Sequence, residues 1–194
     1  MVKTSQDHLE VMDCIDISED NMLLASGSGD STVMIWRLDT GKLVAGPFEC
    51  GDWVGAIRFS DDSKKLAINS HIGSCLEVWD FDASTLETLG APFKGHTKVI
   101  NGLTLSFDGA LLASTSDDNT IKLWAFESRQ LLASFHVLRP SILTLSPNSR
   151  QLAYTTRFEH KIFICNTPPD VLASIGLAPE DNVRISCIYM SFMW

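Results

Sequence analysis

Four times along this chain an apolar stretch ends in serine, a polar turn follows, a second stretch returns around an alanine, and a third apolar run closes on Trp or Cys. The copies read CIDISEDNMLLASGSGDSTVMIW, AIRFSDDSKKLAINSHIGSCLEVW, LTLSFDGALLASTSDDNTIKLW and LTLSPNSRQLAYTTRFEHKIFIC. Their serines are Ser18, Ser60, Ser106 and Ser146, and Ala25, Ala67, Ala113 and Ala153 occupy the matching place in each returning stretch. A repeat of about forty residues accommodates four short antiparallel strands with their turns and is too long for a leucine-rich or ankyrin unit. Each copy is therefore expected to be one four-stranded antiparallel unit of an all-β chain.

The third copy shows the pattern most cleanly. Val99, Ile100, Leu103 and Leu105 alternate with polar residues as a half-buried strand does. Ser106-Phe107-Asp108-Gly109 then turns the chain, the strand Ala110 to Thr115 returns, and Ser116-Asp117-Asp118-Asn119 turns it again before Thr120 to Trp124. A shorter outer strand runs from Leu131 to Phe135. Turn residues recur at matched offsets in the other copies, which is stronger evidence than any single turn. Four units over about residues 10–40, 53–89, 98–135 and 138–175 are expected within a single repeat region, 1–194. The tail 181–194 contains Val183 to Met190, whose β-branched and aromatic content suggests the first strand of a fifth unit.

Composition narrows the class. With 45% apolar and 20% charged residues the chain is globular in character, and no run approaches the eighteen or so apolar residues of a membrane helix. These features, and a start without an apolar leader core, predict a cytoplasmic chain with no membrane partner. A net charge of −9 with basic residues scattered singly argues against nucleic acid, whose phosphates need clustered Lys and Arg. The five cysteines, Cys14, Cys50, Cys75, Cys165 and Cys187, lie far apart, and free thiols are the expectation. Asp61-Asp62, Asp117-Asp118 and Glu180-Asp181 read as solvated turn carboxylates, and His71 and His160 lack partners at metal spacing, so neither metal nor cofactor is expected.

Gly95-His96 followed by Leu112-Ala113-Ser114-Thr115-Ser116-Asp117-Asp118-Asn119-Thr120-Ile121-Lys122-Leu123-Trp124 resembles the WD-repeat signature of β-propellers, and the likeness extends over roughly residues 8 to 175. The repeats are also similar to those attached to fungal signalling ATPases of the NACHT type. The resemblance implies a WD-repeat β-propeller of four blades, and because such rings usually close with more, an open, partial propeller prone to self-association through its uncovered blade edges. It implies further a hydrogen-bonded set in each blade: a His before the first strand, a hydroxyl in the second, an Asp in the next turn and the Trp of the third. By position these are His8, Ser26, Asp30 and Trp36 in the first copy and His96, Ser114, Asp118 and Trp124 in the third. The second copy offers Cys50, Ile68 and Gly73 where the first three members should stand, with only Trp79 kept; the fourth keeps His136 beside Tyr154, Glu159 and Cys165.

Ser, His and Asp are also the members of a catalytic triad, but here the set repeats with the period and shares its hydroxyl with an indole, whereas a nucleophile is needed once, in a cleft. No catalytic residue is therefore expected. Propellers of this kind bind proteins or peptides across a face formed by their loops. By offset, that face would carry Glu10, Val11, Asp52, Trp53, Lys98, Val99, Leu138 and Arg139 from one set of loops, and Gly29, Ile72, Asp117 and Phe158 from the other. These positions differ between copies while the framework repeats, and they include the aromatic and Arg types that dominate binding energy. Packing between blades is an equal expectation for Trp53. The reading is a non-catalytic protein-interaction scaffold; its alternative is the sensor or ligand-recognition part of a larger NACHT-type signalling ATPase.

Overall fold

The computed structural model describes residues 8–70, 75–82, 85–178 and 188–191, and among them sixteen strands form four antiparallel four-stranded sheets. The first sheet contains β1 (Met12–Ile17), β2 (Leu23–Ser28), β3 (Thr32–Arg37) and β4 (Leu43–Glu49). The second contains β5 (Ile57–Phe59), β6 (Lys65–Ser70), β7 (Cys75–Asp82) and β8 (Thr85–Thr88). The third contains β9 (Ile100–Leu105), β10 (Leu111–Ser116), β11 (Thr120–Ala125) and β12 (Leu131–His136). The fourth runs β13 (Pro140–Leu145), β14 (Gln151–Thr156), β15 (Lys161–Asn166) and, after the short helix α1 (Pro169–Ser174), β16 (Ile188–Ser191). In every sheet the spatial order is the chain order, so each strand pairs with the one before it, across a turn in all cases but β16, which is separated from β15 by α1 and the residues after it.

The recurring serine is what closes the first turn. Ser18, Ser60 and Ser106 donate their hydroxyls to Asp20, Asp62 and Asp108 at 2.6, 2.6 and 2.5 Å, and Ser146 donates to Asn148 at 2.7 Å. The same oxygens accept the N–H groups of Leu23, Lys65, Leu111 and Gln151 at 2.8 to 2.9 Å. The residue three places after each serine, Asn21, Ser63, Gly109 or Ser149, takes a positive φ of 57 to 67°, a conformation tolerated in such turns when local hydrogen bonds hold it.

Two compact units divide the chain, Met1–Ile100 and Asn101–Trp194. In the first, Ala25, Val33 and Ile35 of the first sheet pack on Ile57, Phe59, Leu66, Ile68 and Trp79 of the second. Close approach depends on Gly27, where a Cβ would stand 2.5 Å from Val54 Cγ1. Asp16 adds a polar tie by accepting the Phe59 N–H at 2.8 Å; burial raises its pKa despite that bond and the nearby Arg58. In the second unit Leu111, Ala113, Ile121 and Leu123 pack with Leu143, Leu152 and Val171. There the Thr115 hydroxyl donates to the Ser141 carbonyl at 2.8 Å, and a Cβ on Gly102 would lie 2.8 Å from that same oxygen. The small Ala and Ser side chains of β2 and β10 let neighbouring layers close over these middle strands, and every residue of β10 is buried.

The structure departs from the sequence reading at several places. The outer strand of the first sheet, Leu43–Glu49, lies beyond the expected bound at residue 40. The sequence bounds the fourth four-stranded unit at residue 175, near Leu172 to Ile175; 169–174 is instead helix α1. Pro169 at its start cannot donate to a strand ladder but suits a first helical turn, and Val171 and Leu172 are buried at 1% and 5% exposure. The outer strand of that sheet is β16, paired with β15 from Ile164↔Ile188 to Lys161↔Ser191. The end of the tail segment therefore completes the fourth sheet, where the sequence suggested a fifth; Val183 to Cys187 lie outside the described residues. Cys165 is disulfide-bonded, so among the described cysteines free thiols are found at Cys14 and Cys50. A disulfide needs a second cysteine brought close in space, which spacing along the sequence does not show. Burial pushes both free thiols up to about 12, where they stay protonated and unreactive.

Candidate functional site

Four residues of the first sheet meet in a buried polar cluster. His8, just ahead of β1, places Nε2 2.7 Å from Ser26 Oγ on β2 and Nδ1 3.0 Å from Asp30 Oδ2 in the β2–β3 turn. The Trp36 indole N–H on β3 donates to the same Ser26 oxygen at 2.8 Å. Asp30 also accepts the Leu9 N–H at 2.8 Å, the Thr32 N–H at 3.0 Å and the Thr32 hydroxyl at 2.7 Å. Burial alone would raise the Asp30 pKa, but hydrogen bonds from Thr32, Leu9 and His8 outweigh it and hold the carboxyl well below the usual range. Although the members are those of a triad, Ser26 is 1% exposed and its oxygen already serves an indole and an imidazole. No substrate atom can reach it, so this cluster ties strands together.

The third sheet repeats part of the arrangement. Trp124 Nε1 donates to Ser114 Oγ at 2.9 Å, and Asp118 accepts the Thr120 N–H and hydroxyl at 3.0 and 2.5 Å. His96 is buried at 8% exposure. In the second sheet Ile68 is part of the apolar core and cannot accept a proton; the Trp79 indole instead donates to Glu77 Oε2 at 2.8 Å. Sequence reasoning missed Glu77, although residues two apart on a strand share a face and an acid at that spacing was the available signal. In the fourth sheet Tyr154 stacks on Phe163, ring centroids 5.0 Å apart, while Glu159 pairs with Lys161 at 3.5 Å.

The turn carboxylates of the third sheet also separate. Asp117 is not simply solvated as its sequence setting suggested: it accepts from Asn101 Nδ2 at 2.8 Å and pairs with Arg157 at 3.3 Å. Its pair is substantially exposed and contributes at most about 1 kcal/mol, whereas deleting Asp118 removes the acceptor of the Thr120 N–H and hydroxyl at a cost on the order of 1–3 kcal/mol. Asp118→Ala should accordingly lower the urea midpoint more than Asp117→Ala, and equal midpoints would remove the distinction.

Among the loop positions of the first unit, Glu10 and Val11 are exposed, Val11 by 73%, and the Val11 carbonyl accepts the Gly29 N–H at 2.9 Å. Asp52 caps the Trp53 N–H at 2.7 Å, and the Trp53 indole donates to Asp13 Oδ2 at 2.6 Å. Trp53 is thus half-buried and bonded across to β1. Lys98 is exposed and Val99 half-buried; Ile72, like Gly73 and His71, lies outside the described residues. In the second unit Leu138 and Phe158 are 64% and 68% exposed, and the Arg139 guanidinium lies 5.1 Å from the Phe158 ring centroid. Among the described residues no group of His, Cys, Asp and Glu has the disposition of a metal site, and no helix is long and apolar enough to cross a membrane.

A family model described as WD domain, G-beta repeat matches residues 1–37 and 87–125. The chain carries WD repeats. The matched segments span the first and third copies, those with the complete His, Ser, Asp and Trp set, while the second and fourth are the copies that depart from it. The chain is 34% identical over 113 residues to U3 small nucleolar RNA-associated protein 12 of Saccharomyces cerevisiae, an alignment covering 58% of this chain and 11% of that protein. It is 32% identical over 203 residues to the small ribosomal subunit protein RACK1 of Candida albicans, covering 83% of this chain and 63% of that one. The solved structure of U3-55K matches with a TM-score of 0.72 at 17% identity, over 85% of this chain and 51% of that chain. WD-repeat chain and WD-propeller structure agree in an all-β fold of four-stranded antiparallel blades, and this chain spans about half of that solved propeller.

Proposed function

We propose that this WD-repeat chain is a non-catalytic protein-interaction scaffold whose partners, proteins or peptides, dock on the loops preceding the first and third strands of its blades. The carrying observation is the contrast between a saturated framework and, in each unit taken by itself, uncommitted loops. Ser26, His8, Asp30 and Trp36 spend their polar atoms on one another, whereas Val11, Leu138 and Phe158 expose 64 to 73% of themselves on loops. Large side chains left in solvent at such positions are the material of binding hot spots. WD-repeat proteins are generally interaction scaffolds, which supports the reading. The net charge of −9 makes protein a better partner than nucleic acid, although the names of two relatives associate those proteins with RNA or the ribosome. A cytoplasmic location belongs to the same proposal.

Affinity capture with the whole chain tests it. Partners retained by the wild type and by Lys64→Ala, which alters an exposed turn after β5, should be lost from a Val11→Asp, Leu138→Asp double variant that keeps its circular dichroism. Equal retention by the double variant would overturn these loops as binding regions. A second reading is the recognition part of a larger NACHT-type signalling ATPase; the 11% of the yeast relative that the alignment covers supports only that repeats of this kind occur within much longer proteins. A nucleotide-binding domain continuous with this coding sequence would support it.

A further inference from the structure

We infer that Leu138, Arg139 and Phe158 form a docking point for a peptide segment that carries an Asp or Glu carboxylate next to a large apolar side chain. The inference rests on the reading of the chain as a partner-binding module and names the chemistry one of its loops would recognise.

Arg139 carries the argument. Its φ is +47°, the left-handed region that residues other than glycine enter at a cost and that persists only when the surroundings hold it. Two bonds hold it here: its N–H donates to Asn119 Oδ1 at 2.9 Å, and its carbonyl accepts the Arg157 N–H at 3.0 Å. Burial is not the return on that strain, because Arg139 is exposed. The effect of the backbone geometry is to carry the guanidinium over Phe158, 5.1 Å from its centroid, which orients a normally mobile side chain.

Charge points to the occupant. The neighbouring cations are neutralised within the unit, Arg157 by Asp117 at 3.3 Å and Lys161 by Glu159 at 3.5 Å. Among the described residues no carboxylate pairs with Arg139. In a chain with a net charge of −9, a positioned and unneutralised guanidinium is unusual, and its planar fork matches a carboxylate through two parallel hydrogen bonds. A single such cation is too little for a nucleic-acid backbone, which is held by many. Phe158 beneath the guanidinium and Leu138, the residue before Arg139 in the chain, are 68% and 64% exposed and offer apolar side chains to the same peptide. Aromatic and Arg side chains flanked by aliphatic surface are the residue types in which binding energy concentrates.

The experiment is fluorescence polarisation of the whole chain with labelled heptapeptide pools, random except at two central residues: Asp-Leu, Asn-Leu, Asp-Ser or Lys-Leu. The Asp-Leu pool should bind about tenfold or more tightly than the Asn-Leu and Asp-Ser pools, as loss of a charge-assisted hydrogen bond or a buried side chain implies. Arg139→Glu should abolish that preference and shift it toward Lys-Leu, Arg139→Lys should weaken it severalfold, and Phe158→Ser should weaken it about tenfold; Lys64→Ala should change nothing. Absence of binding by every pool, equal binding of Asp-Leu and Asn-Leu, or a preference that survives Arg139→Glu would overturn the inference. Arg139→Lys keeps the test valid if the charge reversal fails to fold. Captured partners lost from the Val11→Asp, Leu138→Asp double variant but indifferent to Arg139→Lys would leave the binding module standing without this docking point. Pools that discriminate as expected while captured partners ignore the double variant would do the reverse.

Discussion

Trp124→Ala is expected to destabilise the chain by about 3–5 kcal/mol. Trp124 is 1% exposed, on a middle strand whose neighbours Leu111, Ala113, Ile121 and Leu123 form the core of the second unit. Truncation removes a large apolar surface, opens a cavity that the paired strands β10 and β12 cannot collapse into, and withdraws the donor from Ser114 Oγ. Trp124→Phe separates these contributions. It restores most of the ring but leaves the buried Ser114 hydroxyl without its indole partner, so a loss of about 1–3 kcal/mol is expected. Urea unfolding followed by circular dichroism reads both. A Trp124→Ala shift equivalent to less than about 1 kcal/mol would show that the third sheet does not depend on this residue, and a Trp124→Phe variant as weak as the alanine would show that the hydrogen bond, not the ring, dominates.

Asp30→Ala is expected to cost on the order of 3 kcal/mol, and its companion Asp30→Asn should reveal a pH dependence. The carboxylate accepts from Leu9, from both Thr32 donors and from the His8 ring, and its side chain is 7% exposed, so water cannot fully replace it. Its folded pKa is depressed, which means that the unfolded chain takes up the proton first as the medium is acidified. Its stabilising contribution is therefore complete above about pH 5, and it is lost as pH falls through about 4 toward the lower folded value. The difference in unfolding free energy between wild type and Asp30→Asn should be largest near pH 5 and above, and should shrink as the pH approaches 3. Other carboxylates, such as Asp20 and Asp62, whose pKa values are lowered chiefly by the hydroxyls of Ser18 and Ser60, cancel in that comparison. A difference independent of pH would mean that the charge on Asp30 is not what the cluster uses.

Much of the framework is legible because its chemistry is local. Each turn serine bonds a side chain two residues on, so the motif survives in sequence as a spacing, and alternation marks the strands wherever one face is buried. The gathering of His8, Ser26, Asp30 and Trp36 was reachable only because their offsets resemble a known repeat. Where a copy departs from that pattern, the sequence showed which member was missing but not what replaced it. Ile68 announced that Trp79 would lack a hydroxyl; only the strand geometry shows Glu77 taking its place. The fourth unit departs from its pattern for a different reason. Pro168-Pro169-Asp170 is a helix-start signal, but the count of four strands per unit favoured a strand there, and strand pairing over some twenty intervening residues leaves no trace in periodicity.

The sequence by itself determined the number of repeats, the all-β class and the turn chemistry, because each depends on residues within a few places of one another or on a period that recurs. Tertiary structure alone decided that β16 closes the fourth sheet, that Asp117 is bound to Arg157, that Trp53 is tied to Asp13, and that Arg139 stands over Phe158 in a left-handed conformation. Those are contacts between residues distant in the chain, or backbone angles selected by such contacts. Their free energy arises only once the strands have paired and brought the partners together.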